Sequence, residues 1–370
     1  MDTYNIYKDI NARTQGEIYI GVVGPVRSGK STFIKHFAEK LILPFMSDGA
    51  GKERAKDELP QSAAGRTVMT TEPKFIPREA CVITPAQDIS MKIRLIDCVG
   101  FMIDGATGVV EDGKERLVKT PWYDYEIPFS EAAEFGTRKV IKDHSTVGIV
   151  MTTDGSIGEL PRDSYKAAEA ATIEELKKIG KPFVVVVNSK NPAAKSAAEC
   201  VDEIKKAYGA EAVSLDCEQL TLDDVNRTLE LLLNSFPING IEFYFDRWIE
   251  TLPDDNEIKQ AMVECAGQIL DRITYIKDFN KDSIKVENKY IEDVRSEPVD
   301  MADGIIRLSF KVDENLYYDM LSSIAGERID NEYGLINLIK EYAKEKSALS
   351  RYTSAIDTVR QKGYGVVSPS

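Results

Sequence analysis

The stretch "GEIYIGVVGPVRSGKSTFIKHF", residues 16 to 37, decides the fold. Residues 17 to 23 read as a buried strand, and Phe33, Ile34, Phe37 and Leu41 then recur at helical spacing. Between them stand Gly24, Pro25, Val26, Arg27, Ser28, Gly29, Lys30 and Ser31. A strand, a glycine-bracketed turn ending on Lys-Ser, and a helix start form, in that order, a phosphate-binding loop. The glycines let backbone N–H groups wrap a phosphate. Lys30 puts a cation at a helix N-terminus, a place that favours anions, so its position makes sense beside bound phosphate. The Ser31 hydroxyl suits magnesium, a hard cation that prefers oxygen. Residues 24 to 31, with Thr32, are the candidate nucleotide cradle.

Working outward, "IRLID" ends a second apolar strand on Asp97 and opens Asp97-Cys98-Val99-Gly100. A carboxylate at that strand end can hold the water shell of magnesium, and the Gly100 N–H can meet a γ-phosphate. Phe101, next in line, cannot polarise water, so hydrolysis at this site is expected to be slow or to need a group from elsewhere. Two polar excursions, roughly 44 to 73 and 101 to 129, flank this position; stretches of that length inside a compact domain are usually functional. The first ends in "GRTVMTTEP", where Thr70 or Thr71 is expected to close over magnesium and the γ-phosphate; the plainer alternative is a pair of strand-entry threonines. Lys56 and Arg66, in the same excursion, are candidate cations for a neighbouring subunit, against ordinary solvated charges. Asp154, after the strand 146 to 152, either supports the site or caps the next helix.

The base end follows "KPFVVVVNSKNP", residues 181 to 192. A GTPase-type fold places Asn-Lys-x-Asp there. This chain has Asn188-Ser189-Lys190-Asn191. The aspartate of that motif accepts from both guanine N1–H and N2–H; Asn191 cannot accept twice, because half of its amide is a donor. Facing guanine it would leave a mismatched pair, costing about 1–3 kcal/mol. With a complete triphosphate site and no guanine clamp, the expected cofactors are ATP and Mg2+, with Asn188 among the binding residues. A regulatory GTPase-like switch with altered base specificity is the alternative.

The chain has 370 residues and a formal net charge of −14. Acidity of that size, with no dense Lys/Arg run, argues against a nucleic-acid partner. The five scattered cysteines show no metal-ligand spacing and read as buried thiols of a cytosolic protein. No signal pattern opens the chain and no apolar run nears the ~20 residues that span a bilayer, so membrane contact is expected to be peripheral.

Strands alternating with helices through residue 237 predict an α/β P-loop domain with a mostly parallel sheet. The pattern breaks at Phe236-Pro237-Ile238-Asn239-Gly240. Residues 241 to 370 read as a smaller α+β domain: a helix over about 256 to 277 with Ile258, Met262, Ala266, Ile269, Ile273 and Ile276 on one face, then a strand 283 to 292 paired with 305 to 312, then helices near 314 to 325 and 332 to 360.

Five strings, "GVVGPVRSGKSTFIKHF", "DELPQSAAGRTVMTTEPKF", "IRLIDCVGF", "TPWYDYEIPFSEAAEFGTRKVIKDHSTVGIVMTTDGSIG" and "KPFVVVVNS", together resemble the stage IV sporulation protein A family. The resemblance runs through the first domain and on to "GYGVVSPS". It implies a fold similar to translation-factor-type GTPases, put to ATP hydrolysis that drives assembly of a static polymer, the basement layer of the bacterial spore coat. It also implies a site in which Lys30 belongs to the Walker A loop, Asp97 to the Walker B strand, and Thr70 and Thr71 to a nucleotide-sensing pair. Implied partners are further copies of the chain and other spore coat morphogenetic proteins. The implied place is the mother-cell cytoplasm, at the outer forespore membrane. A further C-terminal segment of the family, tied to membrane-surface contact and partner binding, is apparently absent here.

Overall fold

The computed structural model describes residues 3–60, 72–86, 89–103, 105–106, 110–111, 114–158 and 160–364. It divides into two compact units that interleave along the chain. The first holds residues 1–242, 271–283 and 297–307; the second holds 243–270, 284–296 and 308–370.

The first unit is a six-stranded sheet between helices. Its elements begin α1 (Thr3–Arg13), β1 (Glu17–Val23), α2 (Lys30–Phe37), α3 (Ala50–Asp57), β2 (Lys74–Ala86) and β3 (Ile89–Asp97). Two small hairpins follow, β4 (Val110–Glu111) with β5 (Lys114–Glu115), and β6 (Leu117–Thr120) with β7 (Tyr123–Pro128). Then come α4 (Phe129–Lys139), β8 (Val147–Thr153), α5 (Asp163–Ile179), β9 (Phe183–Asn188), α6 (Lys195–Tyr208), β10 (Ala212–Leu215) and α7 (Leu222–Asn234).

The sheet order is β10-β9-β8-β1-β3-β2. All neighbours pair parallel except the edge strand β2, which runs antiparallel to β3. Every residue of β8 and β9 is buried, as strands covered on both faces must be. Side chains alternate between two cores. Ile18, Ile20 and Val22 face a cluster built with Ile6 and Ile10 of α1, Phe33 and Phe37 of α2, and Leu229 and Leu232 of α7. Val23, Val150 and Val185 face the other side, with Ile173 and Leu176 of α5 and Cys200 and Ile204 of α6. Removing Phe33, fully buried, would cost about 3–5 kcal/mol. From β1 the chain crosses one way to β3 and the other way to β8, so the strand order reverses there, which is where open α/β sheets bind ligands.

The second unit is built from helices and strands that differ in part from the sequence expectation. The remaining elements are β11 (Gly240–Tyr244), α8 (Arg247–Glu250), α9 (Glu257–Leu270), β12 (Ile291–Ser296), β13 (Ile305–Val312), α10 (Glu314–Ala325) and α11 (Glu332–Lys362). The helix expected to reach residue 277 stops at Leu270. The Asp278 carboxylate accepts from the backbone N–H of Thr274 and Tyr275 and folds that segment into its own 3-10 turn. Ile276 therefore joins the core of the first unit. The strand partner of β13 is also displaced, to β12 at 291–296 rather than 283–292; Asn280 and Ser283 tie residues 280 to 283 into a turn through their side chains. Phe243 and Phe245 stack on Phe310.

Candidate active site

Five parallel strands end on one edge of the sheet, and the residues that follow β1, β3, β8, β9 and β10 build the site. At the end of β1 the loop 24–31 turns on glycines with positive φ, 126° at Gly24 and 93° at Gly29. A Cβ on Gly24 would lie 2.2 Å from the Met151 carbonyl oxygen, and one on Gly29 would lie 2.2 Å from Asn188 Nδ2, so neither position accepts a side chain. Arg27 also adopts φ of 62°, a left-handed conformation that costs a non-glycine residue about 1–2 kcal/mol. The Ser28 hydroxyl, fully buried, donates to the Pro25 carbonyl at 2.9 Å and closes the turn. Lys30 is buried; its ammonium donates to Pro25 O at 2.6 Å and Gly24 O at 3.4 Å, so it lies along the inside of the loop. Burial pushes its pKa below the ordinary 10.5, with Cys98 and Asp97 pulling it back.

The Ser31 hydroxyl, at the exposed lip, donates to Asp97 Oδ2 at 2.8 Å. The other oxygen, Oδ1, is buried and has no hydrogen-bond partner. Burial raises the Asp97 pKa, while Lys30 and the Ser31 hydrogen bond lower it. A buried, unpartnered carboxylate oxygen is costly and calls for a cation or a water held by one. Ser31 and Asp97 thus fit a magnesium ion that takes few protein oxygens and fills its shell with water and phosphate. Among the described residues no cluster of three or more His, Cys, Asp or Glu offers an all-protein metal cage.

Gly100 sits at φ 97°, and a Cβ there would lie 2.0 Å from Gly24 O and 2.7 Å from Lys30 Nζ. Its N–H donates to the hydroxyl of Thr137, a fully buried residue of α4. Thr137 in turn donates to Ala133 O at 2.8 Å. Phe101 is buried with Val26, Ile103 and Tyr165, and its carbonyl accepts from Val26 N–H at 3.0 Å. It joins the loop after β3 to the phosphate loop and presents no polar atom to a water. Thr70, Thr71 and Arg66 lie outside the described residues. Lys56 lies on α3, exposed.

At the base end, Asn188 is buried and engages both ends of its amide. Nδ2 donates to Ser28 O at 3.2 Å and Oδ1 accepts from Cys217 N–H at 3.2 Å. It holds the phosphate loop to the loop after β10. The Ser189 hydroxyl donates to Asp154 Oδ2 at 2.7 Å and accepts from Asn191 N–H at 3.2 Å. Asp154 Oδ1 accepts from the Ser156 N–H and hydroxyl, and Ser156 Oγ accepts from Lys190 N–H at 3.0 Å. Asp154 therefore joins the loops after β8 and β9 and does not cap α5, whose N-terminus has no side-chain cap. Behind them, buried Glu169 grips Arg162 through both oxygens, and Arg162 also donates to Thr152 Oγ1 at 3.0 Å. Asn191 is exposed. Sequence reading missed Thr137, Cys217 and Ser156, because each acts through a backbone group or a loop distant in the chain.

Residues 1–237 match the profile of the stage IV sporulation protein A ATPase domain, and residues 238–370 match that of its middle domain. The chain belongs to the stage IV sporulation protein A family. It is 40% identical over 368 residues to the stage IV sporulation protein A of Clostridioides difficile (strain 630), covering 99% of this chain and 75% of that one. To the Bacillus subtilis (strain 168) protein of that name it is 38% identical over 371 residues, covering 100% of this chain and 75% of the relative. Among solved structures, Toc33 from Arabidopsis thaliana is similar at a TM-score of 0.36 and 9% identity, over 62% of this chain and 90% of that one. The chain is a sporulation protein with an ATPase domain, a P-loop fold of mostly parallel strands followed by a smaller unit. Among the described residues no helix is long and apolar enough to cross a membrane.

Proposed function

We propose that this stage IV sporulation protein A family member hydrolyses ATP with Mg2+ to become competent for self-assembly into the basement layer of the spore coat, on the forespore surface in the mother cell. The observation that carries the nucleotide half is the Ser31–Asp97 hydrogen bond beside an unpartnered Asp97 oxygen, inside a loop whose lysine is already held in place. Lys30 neutralises charge on the β- and γ-phosphate oxygens. Ser31 and Asp97 would hold the metal, which would supply charge neutralisation at the γ-phosphate. Thr70 and Thr71 sense that departure. ATP is preferred to GTP because Ser189 and Asn191 provide no carboxylate for guanine.

The assembly half rests on the family and on slow chemistry. Phe101 cannot orient water, so an isolated subunit turns over slowly, and one hydrolysis serves one assembly event. A change of state needs only a few kcal/mol of differential interaction to shift the population decisively. The partners are other copies of the chain, other coat morphogenetic proteins, and the forespore membrane surface reached peripherally. The test is sedimentation of the full-length protein in ATP, ADP and a non-hydrolysable analogue. Polymer in ATP and none in the analogue is expected. Equal polymer in both would make the protein an ATP-bound scaffold.

A further inference from the structure

The helix α11 runs for 31 residues and ends on Gly363 at φ 77°. At 1.5 Å per residue it is about 46 Å long. Many of its apolar residues follow a seven-residue repeat, while Tyr333, Ile336 and Ile339 fall outside it and are exposed as well. Leu335, Tyr342, Leu349 and Ile356 fall at one position, and Leu338, Glu345, Tyr352 and Val359 fall three residues on. A repeat of that spacing puts one continuous seam along a helix, shaped to receive a second helix with the same repeat. Leu335 and Leu338 are half-buried, whereas Tyr342, Leu349, Tyr352, Ile356 and Val359 are between 44% and 60% exposed. Residues 341 to 347 are exposed on every side of the helix. Ala355 is buried and the Tyr342 hydroxyl donates to Ala325 O at 3.3 Å. The rest of the stretch is largely exposed, and such a helix is marginal in water and draws its stability from packing of an apolar face.

We infer that the exposed part of this seam, residues 342 to 359, docks antiparallel on the same helix of a second copy of this chain. Two features of the helix favour its own copy. The first is the repeat itself: among the described residues this helix carries the matching seam. The second is charge. In the antiparallel register Leu349 meets the second copy's Tyr352, and Tyr342 meets its Val359. Glu341 then flanks the second copy's Lys362 at both ends, an attractive pair. Glu345, the lone charge in the seam, faces the second copy's Ile356. In a parallel pair Glu345 would face itself across the seam, two like charges in contact. A single charged seam residue specifies register in this way at some cost in stability. The contact lies outside the nucleotide site, goes beyond the ATPase reading and does not rest on it.

The experiment is sedimentation velocity of the full chain over a concentration series, without nucleotide, so that failure of hydrolysis-driven assembly cannot mimic failure of this contact. The wild type is expected to dimerise. Leu349→Lys with Ile356→Lys weakens the dimer about thirtyfold or more, the scale of a central buried anchor; ATP turnover is unchanged, and the melting midpoint matches wild type at concentrations where both are monomeric. Glu341→Lys alone and Lys362→Glu alone each weaken it severalfold, and the two together restore it. A wild type that stays monomeric at every concentration overturns the proposal, including the case in which the seam is nonetheless protected from hydrogen exchange by another part of a longer chain. So does an unchanged dimer in the double lysine variant. Dissociation by the lysines without rescue by the charge exchange overturns the antiparallel register.

Discussion

At the phosphate end of the site, Gly24, Gly29 and Gly100 let the loops that carry Lys30, Ser31 and Asp97 pack closely, and one oxygen of Asp97 has no partner. At the base end, Asn188, Ser189, Asp154 and Ser156 are satisfied by one another and by backbone groups. The first region is unfinished without a ligand; the second is complete without one. On the proposed reading, most of the affinity resides in the triphosphate. On the same reading, discrimination between bases comes from what the base loop fails to offer guanine, since specificity is a difference between two affinities.

The largest effects should break the phosphate end. Gly100→Ala drives a methyl group against Gly24 O and Lys30 Nζ at a positive φ, so ATP turnover is expected to vanish and the melting midpoint to fall. Normal turnover in that variant would mean the loops are looser than the contacts require. Lys30→Ala removes a charged donor from the phosphates and should weaken ATP binding about 10- to 100-fold, measured by equilibrium binding. Asp97→Asn keeps the shape and removes the charge. It should leave nucleotide binding nearly intact and slow hydrolysis roughly a hundredfold, about 2.7 kcal/mol of barrier.

The base end should respond more mildly and more selectively. Asp154→Asn leaves a weaker partner for the Ser189 hydroxyl and for Ser156, and frees the loop 188–191 to move. ATP affinity is expected to fall about tenfold, while inorganic triphosphate, which has no base, binds as before. Equal losses for both ligands would show that the two ends are one rigid body, and the contrast between them would dissolve.

The difference between the ends also explains what could be read without a structure. The turn after β1 is legible because its pattern is local: two glycines, a lysine and a serine fall within eight residues. The place of Asp97 at the end of β3 is legible because an apolar strand ending in a carboxylate needs a reason. Thr137 is not, because its hydroxyl meets Gly100 from a helix 37 residues away. The Asp154–Ser189 contact depends on two strand ends meeting in the sheet, and no local spacing announces that. The same limit misleads the reading of residues 256 to 277. Ile273 and Ile276 keep helical spacing, but the Asp278 carboxylate captures two backbone N–H groups and ends the pattern at Leu270.

The smallest effect, and the finest test of the contrast, is in pH. Burial holds the Lys30 ammonium below its ordinary 10.5 before a ligand arrives. A triphosphate beside it favours the charged form and raises that pKa again. A group whose pKa is higher in the bound state contributes affinity that is fully present below its free-state pKa. That contribution is lost as pH rises through the bound-state value. ATP binding should therefore take up protons on the alkaline side, and affinity should fall by less than about tenfold per pH unit as pH rises from the lowered free-state pKa towards the bound-state one. Titration calorimetry in two buffers of different ionisation enthalpy reads the uptake directly. Lys30→Arg provides the control, because a guanidinium stays charged throughout and the nucleotide's own ionisation is common to both proteins. The alkaline loss should be present in the wild type and absent from the arginine variant, and Asp154→Asn should keep the wild-type slope. A slope that persists in Lys30→Arg, or that disappears in Asp154→Asn, would move the titrating group away from the phosphate loop.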